Sequence, residues 1–183
     1  MDTMQRAAAA AIAGDDRLVI VIGPAGAGKT TTLAYAVHDL TDINDRAAYG
    51  IAPTAKAAHT LGAETGMPCD TVAKLIHEWT RTDRPAGATW QLAAGTTLIV
   101  DEAGMLGTPS LRHLTELADT NQWRLVLVGD PNQIQAVGRG GMFGELCTTG
   151  RSYELQRIHR FTEPWEADAS LQLRYGNPHA LTD

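Results

Sequence analysis

Cysteine is scarce. Cys69 and Cys147 lie far apart, with no CxxC partner and no histidine pair at ligand spacing, which excludes a disulfide framework and a thiolate zinc site. Such usage fits a reducing compartment, the cytoplasm. Aromatic residues make up 5% of the chain. Trp79, Trp90, Trp123 and Trp165 are therefore expected mostly in packing, with stacking on bases as their other possible use. No apolar run approaches the about 18 residues of a membrane-spanning helix. The Ala-rich start could pass for a signal segment, but Asp2 precedes it and Asp15-Asp16-Arg17 follows, so a capped amphipathic helix is the better reading. Positive charge is also short, with 15 basic against 21 acidic residues, a formal charge of -6 and a pI of about 5.4. That balance argues against gripping nucleic acid by bulk charge and leaves room for a local basic groove. No internal repeat or low-complexity block is present.

What is there is enough for about one compact domain: 183 residues, 44% of them hydrophobic. Asp2 and Gln5 have capping-box spacing ahead of a helix over 4–13. Leu18-Val19-Ile20-Val21-Ile22 is a continuous β-branched run, the pattern of a strand buried on both faces. Shorter strands are expected at 48–51, 97–100, 125–128 and around 153–155. Helical patterns lie between them at 30–40, 55–66, 71–80 and 110–118, the last with Thr108 as N-cap and Pro109 at its first position. Residues 81–95 read as a long loop. Strands alternating with helices give an α/β fold with a parallel sheet and right-handed crossovers.

Three segments carry chemistry. Gly23-Pro24-Ala25-Gly26-Ala27-Gly28-Lys29-Thr30 satisfies G-x-x-x-x-G-K-[ST] between a strand and a helix. Its glycines let successive backbone N–H groups face phosphate oxygens, Lys29 reaches the β- and γ-phosphates, and Thr30 offers a hydroxyl to Mg²⁺. Thr97 to Val100 is an apolar strand that ends in Asp101-Glu102, where Asp101 can hold Mg²⁺ and Glu102 can act as general base. Gly129-Asp130-Pro131-Asn132-Gln133 follows a third strand and presents Gln133 toward a γ-phosphate and its attacking water. Alone, this last segment is an ordinary turn. Thr54 and Lys56 open a helix after a strand and could meet a phosphate backbone, or could be an N-cap and a solvated lysine.

Taken in order along almost the whole chain, these segments resemble the superfamily 1 helicases, in particular the RecD-like branch and the helicase part of conjugative relaxases of the TraA/TrwC type. The resemblance implies a RecA-like P-loop NTPase, a three-layer α/β/α fold that uses ATP and Mg²⁺ to move along single-stranded DNA. Gln5 is similar to the adenine-reading glutamine; Gly23 to Thr30 is similar to motif I, the ATP-binding loop, and Thr31 next to it is an implied ATP contact. Asp101-Glu102-Ala103-Gly104-Met105 is similar to motif II. Ala52-Pro53-Thr54-Ala55-Lys56-Ala57-Ala58 is similar to the DNA-touching motif Ia, so Pro53, Thr54 and Lys56 are implied DNA contacts. Thr71, His77 and Arg139 occupy positions of further strand contacts, although a capping threonine and a surface histidine are equally good readings of the first two. Gln133 falls in motif III, and Leu155 to Arg160 resembles motif IV, which implies that Arg160 approaches the γ-phosphate.

On this reading residues 1–160 form the first motor domain, while 161–183 form a hinge and the start of a second RecA-like domain that the sequence does not contain. A relaxase domain is expected in longer relatives. Two other classes stay open: a helicase-like module that binds ATP or DNA without turnover, and a small P-loop kinase, which would need an arginine-rich lid not evident here.

Overall fold

The computed structural model describes residues 1–133 and 141–155. Six strands form one sheet: β1 (Leu18–Ile22), β2 (Ala48–Ala52), β3 (Cys69–Thr71), β4 (Thr97–Val100), β5 (Arg124–Gly129) and β6 (Ser152–Glu154). Their order is β3-β2-β4-β5-β1-β6 and every pairing is parallel. Six α-helices accompany them: α1 (Thr3–Ala13), α2 (Lys29–His38), α3 (Ala55–Thr65), α4 (Val72–Thr80), α5 (Thr108–Thr120) and α6 (Met142–Thr149).

Period-two alternation sorts the strand side chains between two cores. Val19, Val21, Ile99, Val126 and Val128 pack under α1, α2 and α3 with Ile12, Leu33 and Leu61. Ile20, Ile22, Leu98, Val100, Leu125 and Leu127 pack on the opposite face with Leu75 of α4, Leu111 and Leu114 of α5 and Phe143 of α6. The split follows from handedness. From β1 through β2 to β3 the chain steps toward one edge of the sheet, and from β3 to β6 it steps back, so right-handed crossovers place the later helices on the other face. The result is the expected three-layer α/β/α architecture.

Several local expectations shift. The β3 edge strand is absent from the sequence reading because Cys69-Asp70-Thr71 carries no apolar signal; its pairing with Gly50, Ile51 and Ala52 creates it. Helix α6, which follows the third segment, is likewise an addition. Thr71 is the N-cap of α4, its hydroxyl oxygen accepting the Lys74 N–H at 3.3 Å. Gly107, not Thr108, caps α5, and Thr108 and Pro109 are its first residues; an extended Gly107 serves because Pro109 has no N–H to satisfy. Gly66 lies beyond the end of α3, where its φ of 75° stops the helix. The 81–95 loop contains a short 3₁₀ turn, Ala88–Trp90, which buries Trp90. Trp79 and Trp123 meet edge to face at 4.7 Å beside the same core, so these three indoles pack as expected; Trp165 lies outside the described residues.

The sheet edge where the strands begin is tied down by Arg124. Its guanidinium, buried at the start of β5, donates to the Ile12 carbonyl at 3.0 Å, the Asp16 carbonyl at 3.1 Å and the Thr97 hydroxyl at 2.9 Å. Among the described residues no helix is long and apolar enough to cross a membrane.

Candidate nucleotide and DNA site

The C-terminal ends of β2, β4, β5 and β1, four adjacent strands, deliver the segments singled out above to one open cleft of about 930 Å³. Ligands in open parallel sheets occupy this edge because strand ends and helix starts converge there.

The phosphate loop leaves β1 at Ile22. Gly26 and Gly28 take left-handed φ values of 81° and 76°, which side chains resist, and Gly28 is the N-cap of α2. The Gly23 N–H donates to the Gly129 carbonyl at 3.0 Å, tying the loop to β5. Lys29 Nζ donates to the Gly23 carbonyl at 2.9 Å and the Pro24 carbonyl at 3.2 Å, so its ammonium sits folded over the loop. Pro24, Ala25, Gly26, Gly28, Lys29, Thr30 and Thr31 line the cleft. Ala27 does not: its methyl group is buried in the core.

Gln5 is not among the residues that line the cleft. Its side chain is 3% exposed, with Oε1 accepting the Asp2 N–H at 2.9 Å and Nε2 donating to the Ala27 carbonyl at 3.4 Å. Both ends of the amide are engaged, one completing the capping box of α1 and the other bracing the phosphate loop. In this arrangement Gln5 supports the loop from beneath and lies outside the cleft wall.

Asp101 and Glu102 follow β4. The Asp101 N–H donates to the Ile51 carbonyl at 2.9 Å, and Asp101 Oδ1 accepts the Glu102 N–H at 2.8 Å. Burial pushes the Asp101 carboxyl above its ordinary 3.8, reinforced by the nearby Glu102 and Glu64 charges and opposed by the Glu102 N–H and by Lys29. Glu102 itself has φ 55°, a left-handed backbone that is costly for a non-glycine residue and concentrated at functional sites. After β5, Asp130 Oδ1 accepts the Asn132 N–H at 2.9 Å and its carbonyl accepts the Gln133 N–H at 3.3 Å, a turn that aims Gln133 into the cleft. Lys29, Glu102 and Gln133 also share a smaller recess with Gly104, Gly129 and Asp130.

Pro53, Thr54 and Lys56 form the far wall of the same cleft. The Thr54 hydroxyl oxygen accepts the Ala57 N–H at 3.2 Å, so it caps α3 and still keeps its own proton to donate. The two readings of Thr54 are thus compatible. Thr71 and His77 do not line the cleft; Thr71 caps α4, and His77 lies in that helix's last turn. Arg139 and Arg160 lie outside the described residues. The sequence reading passed over Thr60 and Glu64, which line the cleft from α3 with Lys56. Their spacing of four puts all three on one helix face, a signal visible only once the site's side of α3 is known.

Among the described residues no cluster of three or more His, Cys, Asp or Glu could cage a metal. One half-buried carboxylate, Asp101, and one hydroxyl, Thr30, in the same cleft are hard oxygen donors of the number Mg²⁺ takes from a protein when phosphates and water supply the rest. The donor set therefore fits Mg²⁺ bound with a nucleotide.

A family model described as an AAA domain matches residues 1–183. A probable conjugal transfer protein TraA of Sinorhizobium fredii is 34% identical over 179 residues, covering 98% of this chain and 16% of the relative. The ATP-dependent RecD2 DNA helicase of Deinococcus radiodurans is 33% identical over 147 residues, covering 79% and 20%. The chain thus spans about a sixth to a fifth of these relatives. The crystal structure of the Candida albicans Pif1 helicase matches 95% of this chain and 44% of its own with a TM-score of 0.68 at 22% identity, a likeness of fold.

Proposed function

The chain belongs to the AAA domain family and, within it, to the RecD-like motor domains of the superfamily 1 helicases; from that premise we propose that residues 1–160 bind and hydrolyse Mg-ATP and couple it to single-stranded DNA. The observation that carries this is the convergence of Lys29, Thr30, Asp101, Glu102 and Gln133 with Thr54 and Lys56 on one cleft.

In the proposed cycle the ammonium of Lys29 exchanges the Gly23 and Pro24 carbonyls for β- and γ-phosphate oxygens, which turned-in N–H groups of the loop also meet. Thr30 and Asp101 would hold Mg²⁺, which would offset the charge on the phosphates. Glu102 takes a proton from the attacking water as its oxygen bonds to the γ-phosphorus and the bond to the β-phosphate oxygen breaks, giving ADP and phosphate. Gln133 orients that water. Pro53, Thr54 and Lys56 hold the DNA backbone across the cleft, with Arg139 as a further contact. Arg160, a second RecA-like domain beyond the hinge at 161–183, and in conjugative relatives a relaxase domain, complete the proposed machine.

The test is Mg-ATP hydrolysis by the 183-residue chain with and without single-stranded DNA, alongside nucleotide binding. Glu102→Gln is expected to keep Mg-ATP and lose turnover; hydrolysis at the parent rate would remove Glu102 as the base. DNA-stimulated turnover supports coupling, binding without turnover reduces the chain to a nucleotide-binding module, and failure to bind overturns the proposal.

A further inference from the structure

The catalytic groups proposed above sit on two separate loops, and their relative position needs a physical cause. Asp101-Glu102 opens the loop after β4, and Gln133 closes the turn after β5. Behind them the two loops meet backbone to backbone. A Cβ added to Gly104 would lie 2.6 Å from the Asp130 carbonyl oxygen; one added to Gly129 would lie 2.9 Å from the Gly104 nitrogen and 3.1 Å from the Ala103 nitrogen. Neither glycine has a left-handed φ, so conformational freedom does not explain them. Proximity does. Phe143 of α6, 3% exposed, backs the contact from the other core, its ring 3.6 Å and 3.3 Å from the same two Cβ positions. The Gly129 carbonyl also accepts the Gly23 N–H, so all three motifs meet at this residue.

The structure assigns Gly104 and Gly129 a positioning role: their contact sets the separation of Glu102 and Gln133 around the recess that they share with Lys29. This rests on the ATP-hydrolysing reading of the cleft. A methyl group at Gly104 must push the Asp130 turn away by several tenths of an ångström or more, carrying Gln133 with it, while the three atoms nearest that methyl include none of the phosphate loop. Ground-state binding through Lys29 then survives, and stabilisation of the transferring phosphoryl group does not.

The experiment compares ADP with ADP plus aluminium fluoride, an analogue of the transferring phosphoryl group, by calorimetric titration of the full chain in Mg²⁺. The parent is expected to prefer the analogue. Gly104→Ala should hold ADP within about threefold and lose at least about tenfold of that preference, the signature of contacts made only in the transition state. Gly144→Ala serves as control, since a Cβ there meets nothing within 4 Å; it should change neither. A folded Gly104→Ala chain that retains the full preference overturns the assignment. If that variant unfolds, Phe143→Leu loosens the backing without inserting an atom, and an undiminished preference there overturns it as well. Failure of the underlying reading looks different: the parent shows no preference, or Lys29→Ala binds ADP as the parent does, and the assignment falls with it.

Discussion

Lys29 is held by its own loop, donating to two carbonyls, so a nucleotide must outcompete the Gly23 and Pro24 oxygens for its ammonium. On the proposed reading charge-assisted bonds to phosphate win that exchange, and Lys29→Ala is expected to weaken Mg-ATP binding by about 1.5 to 3 kcal/mol, read by calorimetry. Unchanged affinity would remove Lys29 from the phosphates. Asp101 gives a second prediction, through pH. Its folded carboxyl is raised above 3.8, so the folded state prefers it protonated, and the metal-free chain loses stability as pH rises from about 3.8 through the raised value. Asp101→Asn should match the parent in acid and exceed its thermal stability near neutrality, with Mg²⁺ and nucleotide reversing the order. A parent that gains on the variant as pH rises would refute this. That Lys29 and Asp101 share one cleft was legible because residue type and spacing mark both as candidates. Gln5 was not: its sequence position is shared by an adenine reader and a capping-box residue, and only burial of the amide against Ala27 separates the two.

Among the elements, strands with two apolar faces were readable and the edge strand β3 was not, because its three residues owe their conformation to a neighbour and not to their own pattern. The same pairing explains Gly50. A Cβ there would overlap the Cys69 sulfur and lie 2.8 Å from Met67 Cε and 3.0 Å from Leu61 Cδ2. Gly50→Ala should therefore cost about 1 to 3 kcal/mol in urea unfolding, and Cys69→Ala should recover part of it. Equal stability of parent and variant would show that β3 shifts freely. Burial pushes the thiols of Cys69 and Cys147 up to about 11, which agrees with cysteines used for packing. Thr108 was misplaced as a cap by one residue because a threonine before a proline reads equally well as N-cap or first residue.

At the scale of the molecule, a net charge of -6 must coexist with the proposed DNA-binding edge. The proposed contact is local, an exposed Lys56 beside Thr54 at the cleft, and it makes a quantitative demand. Log affinity for single-stranded DNA should fall against log salt, and Lys56→Ala should flatten the slope by about 0.7, one phosphate's worth. An unchanged slope would take Lys56 off the backbone. Fold class was legible from the order of strands and helices, whereas the placement of β4 between β2 and β5, which brings Asp101 beside the phosphate loop's partner strand, is a topological fact that no local pattern encodes.

The placement of β6 also gives the sheet a mechanical character. It is the edge strand beside β1, runs parallel to it, and ends where the Leu155 N–H donates to the Ile22 carbonyl at 2.7 Å, one residue before the phosphate loop begins. A force along the strand direction would load this parallel ladder in shear, with several bonds sharing it instead of parting one at a time. The ladder's last bond is anchored at Ile22, next to Gly23, so such a load would bear on the strand that carries the proposed nucleotide loop.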